Sequence, residues 1–218
     1  MNQYQIKLTG ITPLLMHRDN VNFSERRKVW QNAPENKGRS IAGDDRSPAW
    51  SWIGCVYHDS NSIVLPSDNI MTMLREGGAK VVKKGKETYK KHTQSGIILD
   101  RESFAFMVDG KEIPMDQIKP LMAEDDFSKH VDMAESLGFE LLVKRARVGS
   151  SKHVRVRPMF RNWSATGSIT VLDAKMSGLD RETLTIILTY AGALCGIGDW
   201  RPSSPSSGTF GRFEVTVN

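Results

Sequence analysis

Two stretches of this sequence hold residues whose types and spacing could do chemistry. The first runs from Leu194 to Val215 and carries Gly196, Gly198, Gly208 and Gly211, with Trp200, Phe210 and Phe213 among them and Arg201 and Arg212 beside them. Glycine lets backbone come close to a ligand or to another backbone. Aromatic rings next to arginines offer base stacking and phosphate contacts. The second stretch holds Lys144, Arg145, Arg147, Lys152, Arg155, Arg157 and Arg161 on two consecutive alternating segments. Phosphate contacts from such a surface give an affinity that falls steeply with salt.

Several chemistries are not indicated. The glycines follow a helical pattern and precede a strand, whereas a dinucleotide fingerprint follows a strand and opens a helix. No Gly-Lys-Ser/Thr triplet occurs, which removes a phosphate loop of the Walker type. Cys55 and Cys195 form no Cys-x-x-Cys pair, so neither a zinc nor a redox motif is indicated. His17, His58, His92, His130 and His153 are scattered without ligand or triad spacing. His17 or His58 could act as general base for RNA cleavage, and Asp44-Asp45 could hold a metal for the same purpose. In each case a surface or packing role is the plainer expectation, so no catalytic residue, metal or cofactor is assigned. Trp30, Trp50 and Trp52 could stack bases or pack in a core. Lys80 to His92 carries six lysines, a pattern that solvent alone explains.

Positioning these residues needs a folded domain. The chain has 218 residues, 39% of them hydrophobic, and a net charge of +5. That supports a real core and is compatible with a polyanionic partner. No apolar run reaches membrane-spanning length. The N-terminal residues lack the apolar core of a signal peptide, and a cytoplasmic location with reduced cysteines is expected.

Tyr4 to Thr9 alternates as a half-buried strand. Residues 17–62 form a polar insertion, with a short helix at 23–31 and a mobile loop at 36–47. Leu65 to Gly78 predicts a helix, and 97–99 and 104–108 predict strand. Residues 110–137 are an irregular acidic excursion. Phe139 to Val148 and Val154 to Phe160 form a hairpin turning at 149–153, with Arg155 and Arg157 on one face. Another strand at 167–173, a helix at 180–195 and a final strand from Phe213 follow. Without the insertions the order is strand, helix, strand, strand, helix, strand. The expected class is therefore α+β: one ferredoxin-like, RRM-like βαββαβ domain over 1–218, with two helices on one face of the sheet.

The opening Ile6-Lys-Leu-Thr-Gly-Ile-Thr-Pro-Leu-Leu-Met16 resembles the first strand of RAMP-superfamily proteins, the RNA-binding subunits of CRISPR antiviral effector complexes. Gly196-Ile-Gly-Asp-Trp-Arg-Pro202 with Gly208-Thr-Phe-Gly-Arg-Phe213 is similar to their C-terminal glycine-rich loop. The resemblance implies a non-catalytic backbone subunit, or a compact phage or mobile-element relative. Copies would stack along a single strand, RNA rather than DNA, and meet other effector subunits. The strand would lie on the glycine loop and the basic sheet face. An RNA-processing endonuclease on the same fold, or an assembly protein without nucleic acid, are the alternatives.

Overall fold

The computed structural model describes residues 1–148 and 151–218, so Gly149 and Ser150 of the expected hairpin turn lie outside the described residues. Along the chain come β1 (Asn2–Gly10), β2 (Leu14–Leu15), α1 (Val21–Asn32), β3 (Val64–Pro66), α2 (Ser67–Gly78), β4 (Val82–Lys84), β5 (Glu87–Thr88) and α3 (Lys90–Gly96). Then follow β6 (Ile97–Leu99), β7 (Ser103–Val108), α4 (Met115–Ile118), α5 (Phe127–Ser136), β8 (Glu140–Val148), β9 (Ser151–Phe160) and β10 (Trp163–Val171). The last are α6 (Ala174–Ser177), α7 (Arg181–Tyr190) and β11 (Phe213–Val217). The protein is mixed α and β with antiparallel sheets.

The chain divides into two compact units where the sequence predicts a single domain. Unit 1 takes residues 1–15, 63–112 and 161–218, and unit 2 takes 16–62 and 113–160. The expected insertion at 17–62 and excursion at 110–137 therefore join the hairpin in a unit of their own. The physical reason is that these segments carry enough apolar surface to bury together, as their tryptophans show below.

Unit 1 is built on one antiparallel sheet in the order β11-β1-β10-β7-β3, with β6 also pairing β10. The alternation of β1 is realised: Ile6 and Leu8 are buried, and they lie opposite Gly167 and Ala165 of β10. Gly167 leaves room for the Phe104 ring, which would stand 2.2 Å from a Cβ at that position. The α2 and α7 helices pack on each other. Their contact relies on small residues, since a Cβ on Gly77 would fall 2.7 Å from the Ala191 Cβ. The helix predicted over 180–195 is α-helical only to Tyr190 and closes with a π turn, Ala191–Cys195. There Gly192 lies against β11, with the Phe213 carbonyl oxygen 2.1 Å from where a Cβ would stand.

Unit 2 has its own aromatic core. Trp52 is fully buried, with ring centroids 5.7 Å from Phe139, and Phe139 lies 5.1 Å from Phe160. Trp50 is buried as well and meets Phe23 edge-on. These two tryptophans are core residues and are not placed to stack bases. The acidic excursion contains the helix α5, capped at its N-terminus by the Asp126 side chain on Ser128 N–H. The loop expected at 36–47 is packed: Asn36, Asp44, Asp45 and Ser47 are buried.

His130, on α5, is also fully buried. Trp52 Nε1–H can only donate, so His130 Nδ1 accepts it at 3.0 Å and Nε2–H donates to the Glu124 carbonyl at 3.0 Å. Burial holds its pKa below the usual histidine value. The unfolded chain, titrating near 6.5, therefore takes the proton before the folded one does. Stability contributed by the neutral ring is present above about pH 6.5 and is lost as the pH falls toward the lower folded value. Thermal melts between neutral pH and pH 5 should show a falling midpoint, with a smaller fall in His130→Gln.

Candidate nucleic-acid interface

The register of the β8–β9 hairpin decides where its cations point. Lys144 lies opposite Arg155, Leu142 opposite Arg157 and Arg147 opposite Lys152. Successive side chains alternate between faces, so Lys144, Arg155 and Arg157 share one face while Arg145, Arg147 and Lys152 share the other. Arg155 and Arg157 thus share a face as the alternation predicts, and the pairing sets Arg145 and Arg147 on the opposite one. Lys144, Arg145, Arg147 and Lys152 are exposed, Arg155 is half-buried and Arg157 is buried. Arg161 is exposed and belongs to unit 1.

Arg155 and Arg157 are drawn inward by Asp45. The segment before Asp45 runs along β9, with Val154 N–H donating to Gly43 and Asp45 N–H donating to Val154. That pairing sets the Asp45 carboxylate on the face of Arg155 and Arg157. Its Oδ1 accepts from Arg155 Nη1 at 3.0 Å and from Arg27 Nη1 at 3.3 Å. Its Oδ2 accepts from Arg157 Nη1 at 3.2 Å and from the Val156 N–H at 3.3 Å. Three guanidiniums and a backbone amide thus converge on one carboxylate that is 5% exposed.

Around this cluster is a pocket of about 260 Å³ within unit 2. The start of α1 forms one wall through Asn20, Phe23 and Ser24, and the loop before it adds His17 and Arg18. Asn20 caps the helix by accepting from Phe23 N–H at 3.1 Å. Arginine cannot accept a hydrogen bond, so the 3.3 Å contact between Arg157 Nη2 and His17 Nε2 makes that nitrogen the acceptor. A base at His17 would share its Nε2 lone pair with a cation. His58 Nδ1–H donates to the Asp59 carbonyl at 2.7 Å and does not line the pocket.

Asp44 and Asp45, weighed above as metal ligands, serve arginines instead. Asp44 receives Arg46 at both oxygens, at 3.0 and 2.7 Å, and that hydrogen-bonded guanidinium lowers its pKa.

The glycine loop lies in unit 1 and is closed on its own chain. Gly196, Gly198 and Gly211 have positive φ values of 70°, 85° and 71°. A Cβ at Gly198 would lie 2.5 Å from the Leu15 carbonyl oxygen, at Gly208 1.9 Å from that of Trp200, and at Gly211 1.8 Å from that of Ile197. The close approaches that glycine permits are therefore made to backbone of the same chain. Arg201 pairs with Glu76 at 3.0 Å and donates to the Gly198 carbonyl at 3.2 Å. Arg212 donates to the Ala193 carbonyl. Trp200 and Phe210 are half-buried and form a tilted pair at 6.4 Å. A pocket of about 210 Å³ opens beside Gly196 and Gly198, but its Asp68 and Arg201 cancel in charge.

Arg18, Arg27 and Asn20 belong to no motif in the sequence. The one available signal for Arg27 was its place on the helical face it shares with Phe23 and Trp30, near an acidic pair whose partners were unknown. Comparison with protein-family models and with characterised proteins returns no match.

Breaking a buried ion pair by removing one partner costs about 3–5 kcal/mol, because the other charge is left uncompensated. Asp45→Asn should therefore lower unit 2 stability by about 3 kcal/mol in urea unfolding. Asp44→Asn, whose partner Arg46 is 46% exposed, should cost under about 1 kcal/mol.

Proposed function

We propose that this protein is a non-catalytic single-stranded nucleic-acid-binding protein, with RNA as the favoured strand, which assembles as repeated subunits along it. The observation that carries this reading is the set of exposed cations Lys144, Arg145, Arg147 and Lys152 on both faces of the β8–β9 hairpin. Cations on two faces can meet phosphates of a strand passing around a hairpin, whereas a flat duplex surface favours one charged face. Phosphate contacts hold such a ligand without reading its sequence.

The finer fold assignment belongs to the same proposal. A ferredoxin-like arrangement of unit 1 is supported by the path β11-β1-β10-β7. If these are strands four, one, three and two, with α2 and α7 as crossovers, the path is that of a split βαβ sheet. The strands β3 and β6 are additions to it. Membership of the RAMP superfamily is supported by the opening strand motif and by the paired glycine motifs. In this reading the glycine loop serves the strand indirectly, by holding the C-terminal segment against β1 and β2. A binder is favoured over a nuclease because His17 Nε2 and the Asp45 carboxylate are engaged by guanidiniums.

The test is fluorescence anisotropy with short RNA and DNA strands over a salt series. Each phosphate contact on a single strand contributes about 0.7 to the slope of log K against log salt. Replacing Lys144, Arg145, Arg147 and Lys152 by glutamine should reduce the slope by up to about 3 and weaken binding more than about tenfold. An unchanged slope, or no salt-dependent binding by the parent protein, contradicts the proposal.

A further inference from the structure

The pocket at the start of α1 is not needed for strand binding by the hairpin, yet its chemistry is specific. Four guanidiniums (Arg18, Arg27, Arg155 and Arg157) and two carboxylates (Asp19 and Asp45) line it, which leaves a formal charge of +2. A twelve-residue helix begins at its wall, and the positive end of a helix dipole favours an anion; the Phe23 and Ser24 amides are taken by Asn20, so the donors on this wall are side chains. Asp45 takes one Nη1–H from Arg27 and one from Arg155. A guanidinium fork carries five donors, more than one carboxylate oxygen uses. Asp45 thus clamps the forks in place with donors to spare.

We infer that this pocket binds a phosphate monoester. A phosphodiester inside a strand has one negative charge, two unesterified oxygens, and chain leaving on both sides. A monoester has a charge near −2 and three strong acceptor oxygens, which match the +2 excess and donors arriving from a helix start, a loop and a strand. Two sources share this chemistry: the terminal phosphate of a nucleic-acid strand, and a free phosphate or mononucleotide. The first rests on the strand-binding proposal; the second does not.

The experiment uses the full chain in chloride buffer. One arm follows thermal melting with added inorganic phosphate. The other measures anisotropy of a short labelled RNA ending in a 5′-phosphate, a 3′-phosphate or hydroxyls only. One terminal phosphate is expected to tighten binding by about tenfold, and inorganic phosphate to raise the melting temperature. Arg27→Gln should abolish both effects and leave binding of the hydroxyl-ended RNA unchanged. Arg18→Gln, at an exposed loop position, repeats the test should Arg27→Gln fail to fold. Stabilisation by inorganic phosphate without preference for a phosphorylated end assigns the pocket to the free ligand. Phosphate stabilisation that Arg27→Gln removes, with no binding of any RNA, keeps the pocket and overturns the strand proposal. Salt-dependent RNA binding with no end preference and no phosphate-dependent melting shift overturns the pocket and keeps the strand proposal.

Discussion

One buried carboxylate organises the charged interior of unit 2. Three guanidiniums would repel one another if gathered without a counter-charge. Asp45 gathers them from α1 and from β9, at 3.0 to 3.3 Å. Both its oxygens are used, and the Val156 amide supplies a further donor. With the carboxylate buried, this geometry is strongly coupled: the carboxylate needs the arginines and the arginines need the carboxylate. The backbone pairing of Gly43 and Asp45 with Val154 follows the same requirement. It explains why the loop at 36–47, rich in glycine and charge, folds against the hairpin although it brings little apolar surface of its own.

Unit 1 solves a different problem by packing. Its glycines at 77, 167 and 192 let a helix, a ring and a strand approach within distances that a Cβ would forbid. Those at 198, 208 and 211 do the same for the C-terminal loop. Arg201 is held by Glu76 and by the Gly198 carbonyl. Charge and donors are thus turned inward in this loop, whereas on the hairpin Lys144, Arg145, Arg147 and Lys152 face solvent. In the proposed function, ligand contact accordingly belongs to unit 2, and the glycine loop acts as structural support.

What was legible in the sequence was local and periodic. Alternation located β1, the hairpin and the last strand, and helical spacing located α2 and α7. The small residues of the run Ala191-Gly-Ala193 permit a close approach, and Gly192 meets Phe213 there. Two kinds of fact were hidden. Hairpin register depends on which residues face each other, and a one-residue change of partner moves every side chain to the other face. It put Arg155 and Arg157 on the opposite face from Arg145 and Arg147. The other hidden facts are long-range. Nothing near Asp45 in the chain reveals that residues 27, 155 and 157 will surround it. Nor does composition reveal that Trp52 meets His130 and Phe139, from far along the chain, to form a second core. The helix α5 was missed because its acidic setting masked the cap at Asp126 and the few apolar positions behind it.

The central claim is that a single strand is held by unit 2 at the cations of its hairpin. Photo-crosslinking of a uniformly 4-thiouridine-substituted RNA, with the crosslinked peptides mapped by mass spectrometry, tests it most directly. The account predicts crosslinks within 140–157, with further ones at 17–27 only when the RNA ends in a phosphate. Crosslinks confined to 196–213, or spread evenly over the chain, would contradict it.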